Sequence, residues 1–173
     1  MKKRFLLLCP VLFLSACGFE PLYGTTRFAQ PSAAQASTEA QLATIAINNI
    51  PDREGQILRN LLIDRFYQQG RVQNPAYTLE IEKLKQTNTD LDITKESDAT
   101  RAQLRVETTM RLVDAGGQIL LTRRVSSVGS YNILTSEFAT RVSEDNTRKN
   151  LLEDLAARIE LQISLYFQGL GRE

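Results

Sequence analysis

Few residues of this chain belong to the types that carry out chemistry. The 173 residues include no histidine. This excludes Ser-His-Asp and Cys-His nucleophiles, histidine general bases and most zinc sites. Carboxylates remain as candidates, with Glu80 and Glu82 in a predicted strand and Glu144 and Asp145 in a predicted helix. Both pairs are more typical of solvated faces, and no Gly-rich phosphate loop is present, so the sequence does not indicate an enzyme or a cofactor.

Cys17 lies where an apolar segment ends and a polar chain begins. Residues 2–4 are basic, residues 5–14 are almost wholly apolar, and the small Ser15 and Ala16 precede the cysteine. This order is that of a secretory signal peptide cut before Cys17. The apolar run covers about half of the roughly 20 residues that a membrane-spanning helix needs. We therefore predict a removable signal and no lasting transmembrane anchor.

The residues around the predicted cut resemble a second, more specific pattern. Leu-Ser-Ala-Cys, ending at Cys17, resembles the lipobox of bacterial lipoproteins. In those proteins the cysteine thiol receives a diacylglyceryl group and the new amino end is acylated, for example with palmitate. Cys17 is therefore predicted to be lipidated; the alternative is an ordinary small residue near a signal cut. Gly18, in place of the aspartate that retains such lipoproteins in the inner membrane, implies an outer-membrane location.

Composition limits the partners of the mature chain. Three of the 21 basic residues belong to the signal, which leaves 18 basic against 20 acidic residues. That balance lacks the basic footprint of a nucleic-acid-binding protein. With Cys9 in the signal and Cys17 lipidated, no thiol remains for a disulfide or a metal site. We predict four segments: a signal peptide (1–16), a lipidated start and flexible tether (17–40), a single domain (41–169) and a short tail (170–173).

Hydrophobic periodicity predicts an α+β domain. A first strand is expected over 42–50, a helix capped by Asp52 follows to about residue 69, and a long helix covers 137–168. A second strand begins near residue 76 and continues, with a slip in register, through Ile93. The predicted fold is two helices packed on one face of a four-stranded mixed sheet, in the order β-α-β-β-β-α.

The third and fourth predicted strands form a hairpin around Gly116 and Gly117. Over residues 101–112 apolar and polar side chains alternate, which is the pattern of a strand with one face on a core. Five arginines lie on this hairpin: Arg101, Arg105, Arg111, Arg123 and Arg124. Arg123 and Arg124 are neighbours, so only one can share a face with the others unless a bulge intervenes. The face is either a solvated sheet surface or a surface for phosphate and carboxylate groups.

Several segments resemble the lipopolysaccharide-assembly lipoprotein family, LptE. Residues 17–24 read Cys-Gly-Phe-Glu-Pro-Leu-Tyr-Gly, similar to the opening Cys-Gly-Phe-x-Pro-Leu-Tyr-Gly of one form of the family. Further similarities lie at residues 50–62, 99–101, 130–132 and 136–139. The resemblance implies a non-catalytic protein that plugs the outer-membrane barrel LptD, assists its assembly and binds lipopolysaccharide. It assigns no lipid-binding residue to this chain.

Two other functions remain open from the sequence. One is a lipid-anchored periplasmic binding domain that acts alone, for instance on cell-wall glycan. The other is a lipid-anchored hydrolase that uses carboxylates, for which the sequence offers no convergent acidic set. The partners expected from the first interpretation are LptD, lipopolysaccharide and the outer membrane, with the domain on the periplasmic side or within the barrel lumen.

Overall fold

The computed structural model describes residues 39–68, 70, 73–91 and 101–170. The predicted signal peptide, Cys17 and nearly all of the predicted tether lie outside the described residues. After the helical residues 39–43, the elements follow in this order: β1 (Ile45–Ile47), α1 (Asp52–Phe66), β2 (Tyr77–Ile81), β3 (Lys85–Leu91), β4 (Arg101–Asp114), β5 (Ile119–Asn132) and α2 (Glu137–Leu170).

The strands form one mixed sheet. β1 pairs in parallel with β2, and all other pairs are antiparallel. β2 and β3 lie along the same edge of β4, and β5 covers its other edge. Between Ile81 and Lys85 the register against β4 shifts by one residue. The predicted α+β class is therefore confirmed, and the predicted slip in the second strand divides it into β2 and β3.

The core lies between the two helices and one face of this sheet. The predicted alternation of β4 is confirmed, because every second residue from Ala102 to Leu112 is buried. One apolar stripe of α2 is also buried; it consists of Leu152, Leu155, Ala156, Ile159, Ile163 and Phe167. From α1, Leu58, Leu62 and Phe66 complete the same cluster. Burial of this apolar area is what holds the helices on the sheet.

Two local predictions need correction. The first strand is only Ile45–Ile47, because residues 39–43, including two residues of the predicted tether, are helical. Asp52 does not cap α1: Pro51 is the N-cap residue, without a side-chain cap bond. Asp52 is the first helical residue, has a φ of 68°, and its Oδ2 lies 2.9 Å from Lys83 Nζ. Its carboxylate thus connects the start of α1 to the break between β2 and β3.

Small residues on β5 allow α2 to lie close to the sheet. A Cβ added at Gly129 would lie 3.2 Å from Leu151 Cδ2 and 3.2 Å from Thr147 Cγ2, both on α2. Two residues earlier, the Ser127 hydroxyl donates a hydrogen bond of 2.6 Å to Asp154 Oδ2. The sequence pattern did not identify these contacts. No helix among the described residues has the length and apolar character that crossing a membrane requires.

Candidate ligand and partner surface

The candidate surface is the sheet face that points away from the core, here called the open face. On β4 it carries the residues that alternate with the buried set: Arg101, Gln103, Arg105, Glu107, Thr109 and Arg111. Because a strand rises about 3.3 Å per residue, Arg101 and Arg111 are roughly 33 Å apart along β4. The helices pack against the opposite face, so this row is accessible to a ligand or a partner.

Arg101 and Arg105 form a cationic end of the open face. Both side chains are exposed, and no carboxylate of the described residues forms a salt bridge with either. Arg105 pairs across to Val128, which is 42% exposed, and Arg101 pairs across to Leu91. Since paired residues project from the same face, guanidinium and apolar groups alternate here. This combination suits a ligand with both anionic and apolar parts.

Arg111, at the other end of the row, has a mixed environment. Its guanidinium forms a salt bridge with Glu82, and Glu80 is its partner in the β2–β4 register. Arg124 pairs across to Thr109 and borders a depression of about 180 Å³ that also contains Glu107 and Lys85. Exposed ion pairs of this kind contribute at most about 1 kcal/mol to stability. Unlike Arg111, the other open-face arginines Arg101, Arg105 and Arg124 form no salt bridge with a described carboxylate.

Arg123 lies on the opposite face from the other four arginines. It is the register partner of Met110, which belongs to the core face, yet its own side chain is exposed. β5 keeps a regular register with β4 from Leu121 to Asn132, so the neighbouring Arg123 and Arg124 project from opposite faces. The register shift lies before this stretch, between Ile119 and Leu121. The structure therefore groups Arg124 with Arg101, Arg105 and Arg111, and it separates Arg123 from them.

Three of the four candidate catalytic carboxylates are held in ion pairs. Glu82 pairs with Arg111, and both Glu144 and Asp145 pair with Arg148 on successive turns of α2. These are the surface roles that the sequence favoured. Among the described residues, no group of three or more acidic side chains is placed to hold a metal ion.

An exposed apolar tip adjoins the cationic end and was not identified from the sequence. Phe138 is 78% exposed, and Val142, one turn later in α2, is 44% exposed. Leu134, in the connection from β5, is 48% exposed and is fixed by backbone hydrogen bonds of 2.9 and 3.1 Å with Thr140 Oγ1. The tip lies at the end of the sheet where β5 ends and Arg101 begins β4.

Comparison with known proteins identifies the same domain. The family model described as LptE, lipopolysaccharide-assembly, matches residues 42–163. That range extends from the helical residues before β1 to the last turns of α2. No curated protein sequence matches the chain significantly.

Solved structures of bacterial lipoproteins share the fold. A lipoprotein of Caulobacter crescentus CB15 is 21% identical with a TM-score of 0.62, over 78% of this chain and 98% of that one. The minor lipoprotein of Acinetobacter baumannii is 21% identical with a TM-score of 0.58, over 70% and 90%. The rare lipoprotein B of Shewanella oneidensis is 11% identical with a TM-score of 0.59, over 73% and 96%. At these identities the likeness concerns the fold alone.

Proposed function

The chain belongs to the LptE family of lipopolysaccharide-assembly proteins, and from that premise we propose that it plugs the outer-membrane barrel LptD and binds lipopolysaccharide. The observation that carries the proposal is the family match, which includes all five strands, α1 and most of α2. The family consists of non-catalytic assembly lipoproteins. The carboxylates that are held in ion pairs are consistent with a non-catalytic role for this domain.

A lipid anchor at Cys17 would attach the domain to the outer membrane. The lipobox-like Leu-Ser-Ala-Cys and the absence of aspartate at residue 18 support this location. A single acyl chain gives only marginal membrane binding, so stable anchoring would need at least two chains, which a diacylglyceryl group supplies. The predicted tether of 17–40 would let the domain reach a barrel in the same membrane.

The cationic end of the open face is the proposed contact for lipopolysaccharide. The lipid carries phosphates and acidic sugars, and a guanidinium can bind two oxygens of such a group at once. Arg101 and Arg105 have no carboxylate partner among the described residues and lie beside the apolar Val128 and Leu91. Arg111 is already paired with Glu82, so we expect it to contribute less to lipopolysaccharide binding.

One pair of variants tests this assignment. Replacing Arg101, Arg105 and Arg111 with Gln removes three positive charges from the open face. Replacing Arg53, Arg123 and Lys149 with Gln removes the same charge from exposed positions on the helix side. Only the first variant should weaken lipopolysaccharide binding at low salt, and added salt should reduce the wild-type advantage.

Two measurements on the same variants separate the possible roles of the face. If the open-face variant binds lipopolysaccharide normally but no longer co-purifies with LptD, the arginines contact the barrel wall and not the lipid. If neither measurement changes, the arginines form a solvated surface. If both control and open-face variants lose lipid binding equally, the effect is one of net charge.

A further inference from the structure

A groove lies along the outer edge of β1, away from the open-face arginines. It has a volume of about 230 Å³. Ile45 and Ile47 line it from the core face of β1, and Ala46 lines it from the other face. Because side chains from both faces border it, the groove follows the edge of β1 that is opposite β2. Ala43 and Pro75 extend this apolar wall at the start of the strand.

Arg59 of α1 brings a positive charge into this apolar groove. The Arg59 side chain is half-buried and lines the groove. Its Nε is buried, and no acceptor among the described residues reaches it. Among the described residues, no carboxylate forms a salt bridge with Arg59 and no acidic side chain lines the groove. A buried donor of this kind is destabilising unless it forms a hydrogen bond with an acceptor.

The remaining polar groups of the groove determine which ligand could accept a hydrogen bond from Arg59 Nε. The Tyr67 hydroxyl donates a hydrogen bond of 2.7 Å to the Ile45 carbonyl, so this acceptor on β1 already has a donor. Gln73 adds an amide at the rim. Arginine offers donors in a planar fork that matches the two oxygens of a carboxylate or phosphate. A neutral apolar ligand would leave Nε without an acceptor, and a cation would be repelled.

We propose that this groove binds the oxyanion end of a short amphiphile, with a carboxylate or phosphate ester at Arg59 and an apolar chain along β1. The volume is below the 300 Å³ or so at which drug-sized pockets begin, so the groove accommodates a headgroup and a few carbons. This assignment concerns a different surface from the open face and does not depend on the proposed function.

Nitrogen-15 NMR of the full chain in detergent solution tests the proposal directly, because the Arg59 Nε–H group gives its own signal. The probes are butyrate and butyl phosphate. Each is compared with an ion that has the same oxyanion and a shorter or no apolar chain: acetate for butyrate, and inorganic phosphate for butyl phosphate. We expect saturable shifts of the Arg59 signal, with butyrate binding roughly tenfold tighter than acetate because two additional methylenes leave water. Butyl phosphate should exceed inorganic phosphate by a larger factor, because it adds four carbons. Comparison of butyrate with butyl phosphate shows which oxyanion the site prefers.

Matched variants provide the controls. Arg59→Gln should abolish binding, followed through the Ile45 and Ile47 methyl signals, whereas Arg53→Gln on the exposed side of the same helix should leave it unchanged. Arg59→Lys keeps the charge but loses Nε, so it should weaken binding and serves as the test if Arg59→Gln does not fold. Absence of a saturable shift, equal affinity for acetate and butyrate, or normal binding by Arg59→Gln would each overturn the proposal.

Discussion

Ser127 on β5 and Asp154 on α2 are joined by a hydrogen bond of 2.6 Å, from the serine hydroxyl to Oδ2 of the carboxylate. Arg158 Nε donates to the same oxygen at 2.7 Å. The bond from Ser127, followed by that from Arg158, lowers the pKa of Asp154 below its usual 3.8. Ser127 is only 1% exposed. This contact joins α2 to the sheet beside the apolar core.

We expect Ser127→Ala to lower the free energy of unfolding at pH 7 by about 1 kcal/mol, the usual value of such a hydrogen bond. A carboxylate with a lowered native pKa stabilises the fold above pH 3.8 and loses that effect as the pH falls through its native pKa. The difference from wild type should therefore shrink toward pH 2. Urea unfolding at both pH values measures it, with Ser126→Ala on the open face as the control. An equal loss at both pH values would show that the hydroxyl acts only through packing.

A second prediction concerns the close approach of α2 at Gly129. A valine there would place its Cβ 3.2 Å from Leu151 and Thr147 and its methyl groups nearer still. We expect Gly129→Val to destabilise the domain by about 1–3 kcal/mol, as overpacking usually does. Ser130→Val, on the open face of the same strand, is the matched control for β propensity. If thermal unfolding of the two variants is alike, α2 does not rest on β5 as described.

The main elements could be predicted because their periodicity is strong. Alternation along β4 correctly assigned its core face, and hydrophobic periodicity correctly predicted the long helix α2. The same alternation predicted that Arg123 and Arg124 cannot both lie with the other arginines, although the register was needed to decide between them. These results follow from the fixed periods of strands and helices.

The remaining features depend on tertiary contacts that no local pattern encodes. Asp52 has the residue type of an N-cap, but its carboxylate pairs with Lys83, which lies in the break between β2 and β3. The groove at the edge of β1 buries the Nε of Arg59, and the pattern of α1 alone does not indicate that edge. Arg111 differs from Arg101 and Arg105 because Glu82 forms a salt bridge with it, and the pattern of β4 alone does not show this contact. Position relative to a distant segment determined each outcome.

A third prediction tests the core face of β4. Leu104 is 1% exposed, so Leu104→Asp would bury a carboxylate without a partner and should abolish cooperative unfolding. Gln103→Asp, one residue earlier on the open face, should unfold like wild type. Circular dichroism during heating of a chain beginning at Ala40 is the measurement. Cooperative unfolding of the Leu104 variant at the wild-type temperature would contradict the assigned orientation of β4.

A fourth prediction concerns the anchor. Mass spectrometry of the purified mature protein should find an amino end at Cys17 with its thiol diacylglycerylated and its amine acylated. Cys17→Ser should leave the chain uncut or wrongly cut, and without acyl groups. An unmodified cysteine in the wild-type protein, or an amino end elsewhere, would refute the anchor.

The central claim is that this chain works inside an LptD barrel, and co-purification tests it most directly. The tagged full-length protein should be extracted from outer membranes with mild detergent, captured, and its partners quantified by mass spectrometry. The proposed function predicts LptD in about equimolar amount, stable to a salt wash because a plug is enclosed by its barrel. Capture of the chain alone, from an extract in which LptD is intact and abundant, would contradict the claim and favour a lipoprotein that acts by itself.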